Sequence, residues 1–197
     1  MDYTDDRTLK DKVFPELERE LPRRRMAHVL AVTLMAGHLA RRHGLDPVRA
    51  RLAGALHDSA RAWPDARLIR YVRSRRIPVP DFDFIRRNQP VLLHGPVSAD
   101  VARKKFGVKD REVLSAIPKH SLGSVRMTRF EKLVYVADFL SHDRSFKDAP
   151  RLRRLAARDL DGAYRESVRQ KLRFLVDRGV PIPPECVRVY NSLLPPG

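Results

Sequence analysis

Apolar residues recur along this chain at helical spacing almost from end to end. Leu9, Val13, Leu17 and Leu21 stand four apart with Phe14 on the same side, which predicts a helix over about 8–20 that Pro22 interrupts. The next helix spans about 23–43 and ends at Gly44. His28, Val32, Met35 and Leu39 form its inner stripe, leaving His38 and His43 outside it. Asp46 and Pro47 suit the N-cap and first position of a third helix, whose Leu52, Ala53 and Leu56 lead into His57-Asp58. Trp63-Pro64 restarts the chain, with Leu68, Ile69 and Val72 on one helical face to about Arg76. Residues 77–93 hold Pro78, Pro80, Pro90 and two aromatics, predicting a long ordered loop of the kind that closes over a site as a lid. Pro96 suits the first position of a helix through Phe106, capped by Gly107, and Asp110 caps another that stops near Pro118. Thr128 and Glu131 make a capping box before Phe130, Leu133, Val134 and Ala137. The loop 141–149 leads to a helix from Pro150, a long amphipathic helix then carries Leu160, Tyr164, Val168, Leu172 and Leu175 to its cap at Gly179, and a short final helix starts at Pro184. No run of β-branched residues alternates as a strand would. The expected fold is all-α: one domain of about eight or nine helices, with a core over 22–142 and C-terminal helices over 150–194 packed on it.

Composition narrows the class without naming the chemistry. A hydrophobic fraction of 43% and mixed charge over 197 residues describe a globular chain with a substantial core. No apolar run approaches the roughly 18 residues of a membrane helix. The start, Met1-Asp2-Tyr3-Thr4-Asp5-Asp6, has no apolar leader, so no signal peptide is expected. A single cysteine, Cys186, excludes an intramolecular disulfide and fits a reducing cytoplasm. The net charge of +16 points to an anionic partner. Its arginines and lysines come in short scattered clusters, without the interleaved aromatics of a nucleic-acid stacking platform. The charge therefore implies an anionic partner, whether nucleotide, nucleic acid or acidic surface, without choosing among them; a homodimer is compatible with everything above.

Candidate chemistry gathers on histidines and aspartates beside apolar stripes. His28 lies on the buried face of its helix, and His57-Asp58 ends the next one. His94 and His120 flank turns, and Asp138 edges the stripe of Val134 and Ala137. Neighbours on a helix point about 100° apart, so His57 and Asp58 can converge only on something near that helix end. Buried polar groups need partners, and six imidazole and carboxylate ligands exceed what one ion takes. Nitrogen and oxygen donors without thiolate suit iron, manganese, zinc or a similar ion. A water shared by two such ions loses its proton near neutral pH, and the ions can clamp a phosphoryl group. His142 and Cys186 read as an exposed loop histidine and an ordinary semi-buried helix residue.

The order His28, His57-Asp58, His94, His120, Asp138 resembles the HD-domain metallophosphohydrolases. The flanks resemble more closely the YqeK family, HD-domain hydrolases that split diadenosine tetraphosphate symmetrically. The carrying stretches are His28-Val29-Leu30-Ala31-Val32, Ala53 to Arg61, His94-Gly95-Pro96-Val97, His120-Ser121-Leu122-Gly123, Glu131 to Asp138 and Asp143-Arg144-Ser145-Phe146. Ile182-Pro183-Pro184 and Asn191 follow the family in the tail, so the likeness runs from about residue 8 to 194.

The resemblance implies two metal ions, with iron as the metal. His28, His57, Asp58 and Asp138 would hold the first, and Asp58 would bridge to a second held by His94 and His120. Arg61 stands where the family usually has a lysine, and Arg144 matches a family arginine; both would meet phosphates. Ser121 and Gly123 match a turn that would contact the nucleotide. His142 in place of a usual proline, and Pro118 just before His120, depart from the pattern. The implied reaction is hydrolysis of a small nucleotide, diadenosine tetraphosphate, to two ADP.

Overall fold

A computed structural model describes residues 6–195. The acidic residues 1–5, read above as lacking a leader, lie outside them. Every regular element among the described residues is helical, and no helix is long and apolar enough to cross a membrane. α1 (Asp6–Thr8) continues through a π-helical turn (Leu9–Val13) into α2 (Phe14–Glu20). The Leu9, Val13, Leu17, Leu21 stripe is buried as its spacing requires. α3 (Arg23–Arg42) follows Pro22, and α4 (Pro47–Leu56) starts where Asp46 accepts hydrogen bonds from the Val48 and Arg49 amides. α5 (Asp65–Arg75) ends at Arg76, one of two non-glycine residues with positive φ among the described residues.

The segment 77–93 departs from expectation. It is not an extended loop: α6 (Phe82–Asn88) and a 3-10 turn (Pro90–Leu93) fill it. Pro78 and Pro80 precede α6 and Pro90 opens the 3-10 turn, so none breaks a helix, and Ile85 and Leu93 are in the core. Gln89 donates to the Pro181 carbonyl at 2.5 Å, and Arg188 pairs with Asp81, so the segment is tied to the C-terminal region.

α7 (His94–Lys104) begins two residues before Pro96, which falls inside its first turn. α8 (Arg111–Lys119) is capped by Asp110, and α9 (Arg129–Leu140) opens on the full Thr128–Glu131 capping box. α10 (Ala149–Ala156), α11 (Leu160–Asp177) and α12 (Pro184–Ser192) complete the chain. With the opening stretch taken once, the described residues form eleven helices, a little above the expected eight or nine. The addition is α6; α10 and α11 are the two helices expected there, and between them the Asp159 side chain accepts from the Gly162 amide and starts α11.

α3, α4 and α9 pack together as the centre, α7 and α8 close one side, and α11 lies across α9. Two glycines set the spacing that matters for function. A Cβ on Gly54 would meet the Thr33 backbone at 3.0–3.2 Å, so α4 touches α3 without a side chain between them. A Cβ on Gly95 would lie 3.1 Å from the Pro118 carbonyl and 3.6 Å from His120 Cε1. Glycine at these positions brings the His57 end of α4 to α3, and the His94 end of α7 to His120.

Candidate metal centre

Four helix ends and one helix face deliver the predicted ligands to one place. His28 comes from the inner face of α3, and His57 and Asp58 from the turn after α4. That turn is fixed by an Arg61 amide bond to the Asp58 carbonyl and by the Ala60 amide donating to Ser98 on α7. His94 starts α7, His120 follows α8, and Asp138 lies near the end of α9. The four histidines and Asp58 are each at most 4% exposed. The capping box sets the neighbouring junction, because buried Glu131 also accepts from Ser115 and Lys119 of α8.

The rings share one tautomer. Nδ1 of His57, His94 and His120 donates to the carbonyls of Gly54, Val91 and Ile117, at 2.6, 2.6 and 2.7 Å. Nδ1 of His28 donates to Asp143 Oδ2 at 2.8 Å. A carbonyl or carboxylate only accepts, so each Nδ1 carries the proton and each neutral ring presents an Nε2 lone pair. Those lone pairs converge. His94 Nε2 lies 3.1 Å from His120 Nε2 and 3.0 Å from Asp58 Oδ1, and His120 Nε2 lies 3.7 Å from that oxygen. The Ser121 hydroxyl, 2.9 Å from His120 Nε2, has one proton to offer among these acceptors.

On the other side, Asp58 Oδ2 is 3.6 Å from His57 Nε2 and 3.8 Å from His28 Nε2. Asp138 Oδ1 is 3.0 Å from His28 Nε2, but without the alignment of a hydrogen bond, and 4.0 Å from His57 Nε2. Among the described residues, the buried Nε2 atoms of His28 and His57 find no hydrogen-bond partner. Lone pairs facing one another at these separations repel, and a cation between them turns that repulsion into coordination. Ligand atoms about 2.0–2.2 Å from one ion sit roughly 3.0–3.5 Å apart, close to the spacing here. Two ligand groups result, His28-His57-Asp58 and Asp58-His94-His120, sharing Asp58, one oxygen to each. Asp138 borders the first group.

Electrostatics fit the same reading. Burial would raise the Asp58 carboxyl pKa, but the neighbouring His57, His94 and His120 hold it well below the usual range. Asp138 behaves likewise through His28, His57 and His120. Burial lowers the His57 pKa, and burial with His57 and His94 nearby pushes His120 down to about 3. Burial also opposes charge on His28, but the Asp138 carboxylate outweighs it and raises that pKa.

Beside the first group opens a cavity of about 380 Å³ that includes His28 and is lined by Arg24, Arg25, Arg61 and Arg144, with Asp143 as its one acidic lining residue. Arg25 Nη1 lies 2.8 Å from Asp58 Oδ2, and Arg144 Nη2 3.0 Å from Asp138 Oδ1. Burial and the neighbouring Arg25 lower the Arg61 pKa, as expected of cations crowded without enough counter-charge. An anion entering this cavity relieves that crowding.

Arg61 and Arg144 thus border the ligand cluster together, and Ser121 touches its second group. Gly123 is buried at φ +75° against the Tyr164 hydroxyl and Val189, and its amide donates to the Lys119 carbonyl. Those contacts account for glycine there through backbone and packing. Sequence reasoning passed over Arg25 and Asp143. Arg25 was hidden in a basic run, and Asp143 lay in a matching stretch whose contact with His28, 115 residues earlier, only the fold reveals.

Residues 25–143 match the family model for the HD domain, and the chain belongs to that family. Within it, the chain is of the YqeK type, being 32% identical over 178 residues to the symmetrical bis(5'-nucleosyl)-tetraphosphatase of Bacillus subtilis (strain 168), which covers 90% of this chain and 94% of that relative. It is 31% identical over 185 residues to the protein of the same name from Halalkalibacterium halodurans, covering 94% and 97%. The crystal structure of a predicted HD superfamily hydrolase involved in NAD metabolism from Clostridium acetobutylicum matches with a TM-score of 0.87 and 32% identity, over 93% of this chain and 96% of that one.

Proposed function

We propose that this protein is a metal-dependent hydrolase that splits diadenosine tetraphosphate symmetrically into two ADP. The observation that carries the reading is the pair of ligand groups joined through Asp58 beside a cavity lined by four arginines. Similarity to relatives named symmetrical bis(5'-nucleosyl)-tetraphosphatase supports the substrate. In this reading His28, His57, Asp58 and Asp138 hold one cation, and Asp58, His94 and His120 the other. Iron is the proposed metal; the all-nitrogen-and-oxygen donor set accepts it as well as manganese.

The bound cations would supply Lewis acidity at the phosphoryl oxygens and a water of lowered pKa. The chain's own residues do the rest. Three backbone carbonyls and Asp143 hold the imidazoles in the tautomer that presents Nε2. Arg61 and Arg144 bind the phosphate chain and offset charge that grows on the attacked phosphoryl group. Arg25 steadies Asp58 and lies within reach of the same phosphates. We read Ser121 and Gly123 as forming the turn at the second group that meets the nucleotide.

We take the chain as one functional unit, its core over 22–142 supporting the cluster and its C-terminal helices over 150–194 completing the wall. Free, buried Cys186 suits a reducing cytoplasm. The test is product analysis by chromatography with metal-loaded protein and diadenosine tetraphosphate. ADP as sole product supports the reading. AMP with ATP refutes symmetrical cleavage, and absence of turnover alongside hydrolysis of another nucleotide moves the substrate to a different HD-type reaction.

A further inference from the structure

The arginine-lined cavity suits phosphates but offers a nucleobase only Pro22 and Ala62 as apolar wall. A second cavity, of about 410 Å³, reaches the same cluster from the far side of Arg144, which lines both, and touches it at Asp138. Its walls are aromatic. Phe139 and Phe146 meet edge to face with centroids 5.4 Å apart, and Phe174 of α11 lines the cavity while 55% exposed.

We infer that this second cavity is the subsite for one nucleobase of the nucleotide whose phosphates lie along Arg144, with Phe174 as the stacking ring. The inference rests on the reading above for its nucleotide, but not on the cleavage position. Three observations carry it. The cavity adjoins the ligand cluster at Asp138 and shares Arg144 with the cationic one. It sets a large exposed aromatic beside two packed ones, and a base laid on Phe174 would cover that costly surface. Its polar side chains, finally, suit the edge of a base. Gln170 Nε2 donates to Asp148 Oδ2 at 2.8 Å, which fixes the amide and leaves its carbonyl oxygen free to accept. Among the described residues Lys171 makes no ion pair, and its ammonium lies 5.6 Å from the centre of the Tyr135 ring. One acceptor beside one donor complements an edge with an amino group next to a ring nitrogen, as adenine has.

The test is calorimetric binding of ADP, IDP and inorganic tripolyphosphate to metal-loaded wild-type protein and to Phe174→Ala, whose exposed position leaves the fold intact. Loss of one base–aromatic stack weakens ADP about tenfold, while tripolyphosphate, having no base, keeps its affinity within about twofold. Unchanged ADP binding in Phe174→Ala, or equal weakening of ADP and tripolyphosphate, overturns the subsite. In the wild type IDP binds more weakly than ADP, because its carbonyl cannot donate to Gln170; equal affinities overturn the assignment of that edge. None of these readouts needs turnover. A protein that fails to cleave diadenosine tetraphosphate yet loses ADP selectively in Phe174→Ala keeps this inference and loses the proposed activity. One that cleaves normally with Phe174→Ala unaffected does the reverse.

Discussion

Asp143 is the one side chain among the four acceptors that orient the candidate ligand imidazoles. His57, His94 and His120 donate to backbone carbonyls that no substitution removes. His28 alone depends on a carboxylate, at 2.8 Å. Asp143→Ala therefore frees the His28 ring to rotate or to move its proton to Nε2, where it blocks coordination. The effect falls on the first ligand group only, since the second holds neither residue. Loss of such a supporting partner weakens metal binding about 10–100-fold. The Asp143 side chain is 35% exposed, and water replaces part of its role, so the lower end, about tenfold, is expected. Metal titration followed by calorimetry reads this directly: one of two binding steps weakens and the other stays. Asp143→Asn, whose amide oxygen can still accept from Nδ1, loses less than alanine. Equal weakening of both steps, or an unchanged first step in Asp143→Ala, refutes the argument that this carboxylate sets the His28 tautomer.

Further expectations follow from other parts of the structure. Glu131 is buried, and although burial raises its carboxyl pKa, its bonds from Lys119, Ser115 and the Thr128 amide lower it below the ordinary 4.5. Its contribution is therefore complete above that value and lost as pH falls through the lower folded one. Glu131→Gln costs about 2 kcal/mol at pH 7, shrinking as pH falls below 4.5; denaturant unfolding across that range showing a constant gap contradicts this. Gly54→Ala forces α3 and α4 apart, because the new methyl meets backbone at 3.0 Å, and costs about 1–3 kcal/mol; an unchanged melting temperature contradicts the close crossing. Arg61→Ala raises KM for the nucleotide about tenfold, consistent with one charge-assisted contact of ~1.5 kcal/mol, while Arg61→Lys recovers most of it; equal kinetics for wild type and alanine variant remove Arg61 from the phosphate path.

Much of this was legible in the chain because helices write their burial as periodicity. His28 shares the spacing of Val32, Met35 and Leu39, and all four are buried. Asp46, Asp110 and Thr128 announced three helix starts through side chains that do cap them. The segment 77–93 was misread because its three prolines suggested irregular chain, whereas they bracket a helix whose buried Ile85 gives too short a pattern to see. Arg25, Asp143 and the Phe174 cavity were invisible for another reason. Each acts through a contact that exists only once distant helices pack, such as Arg25 on Asp58 across 33 residues.

The central claim is that Asp58 joins two cation sites that together support hydrolysis. Its most direct test is the metal content of anaerobically purified wild type and Asp58→Ala, measured with turnover of diadenosine tetraphosphate. The account predicts about two ions per chain in the wild type, both depleted in the variant together with activity. An Asp58→Ala protein that keeps its metal and turns over normally contradicts it.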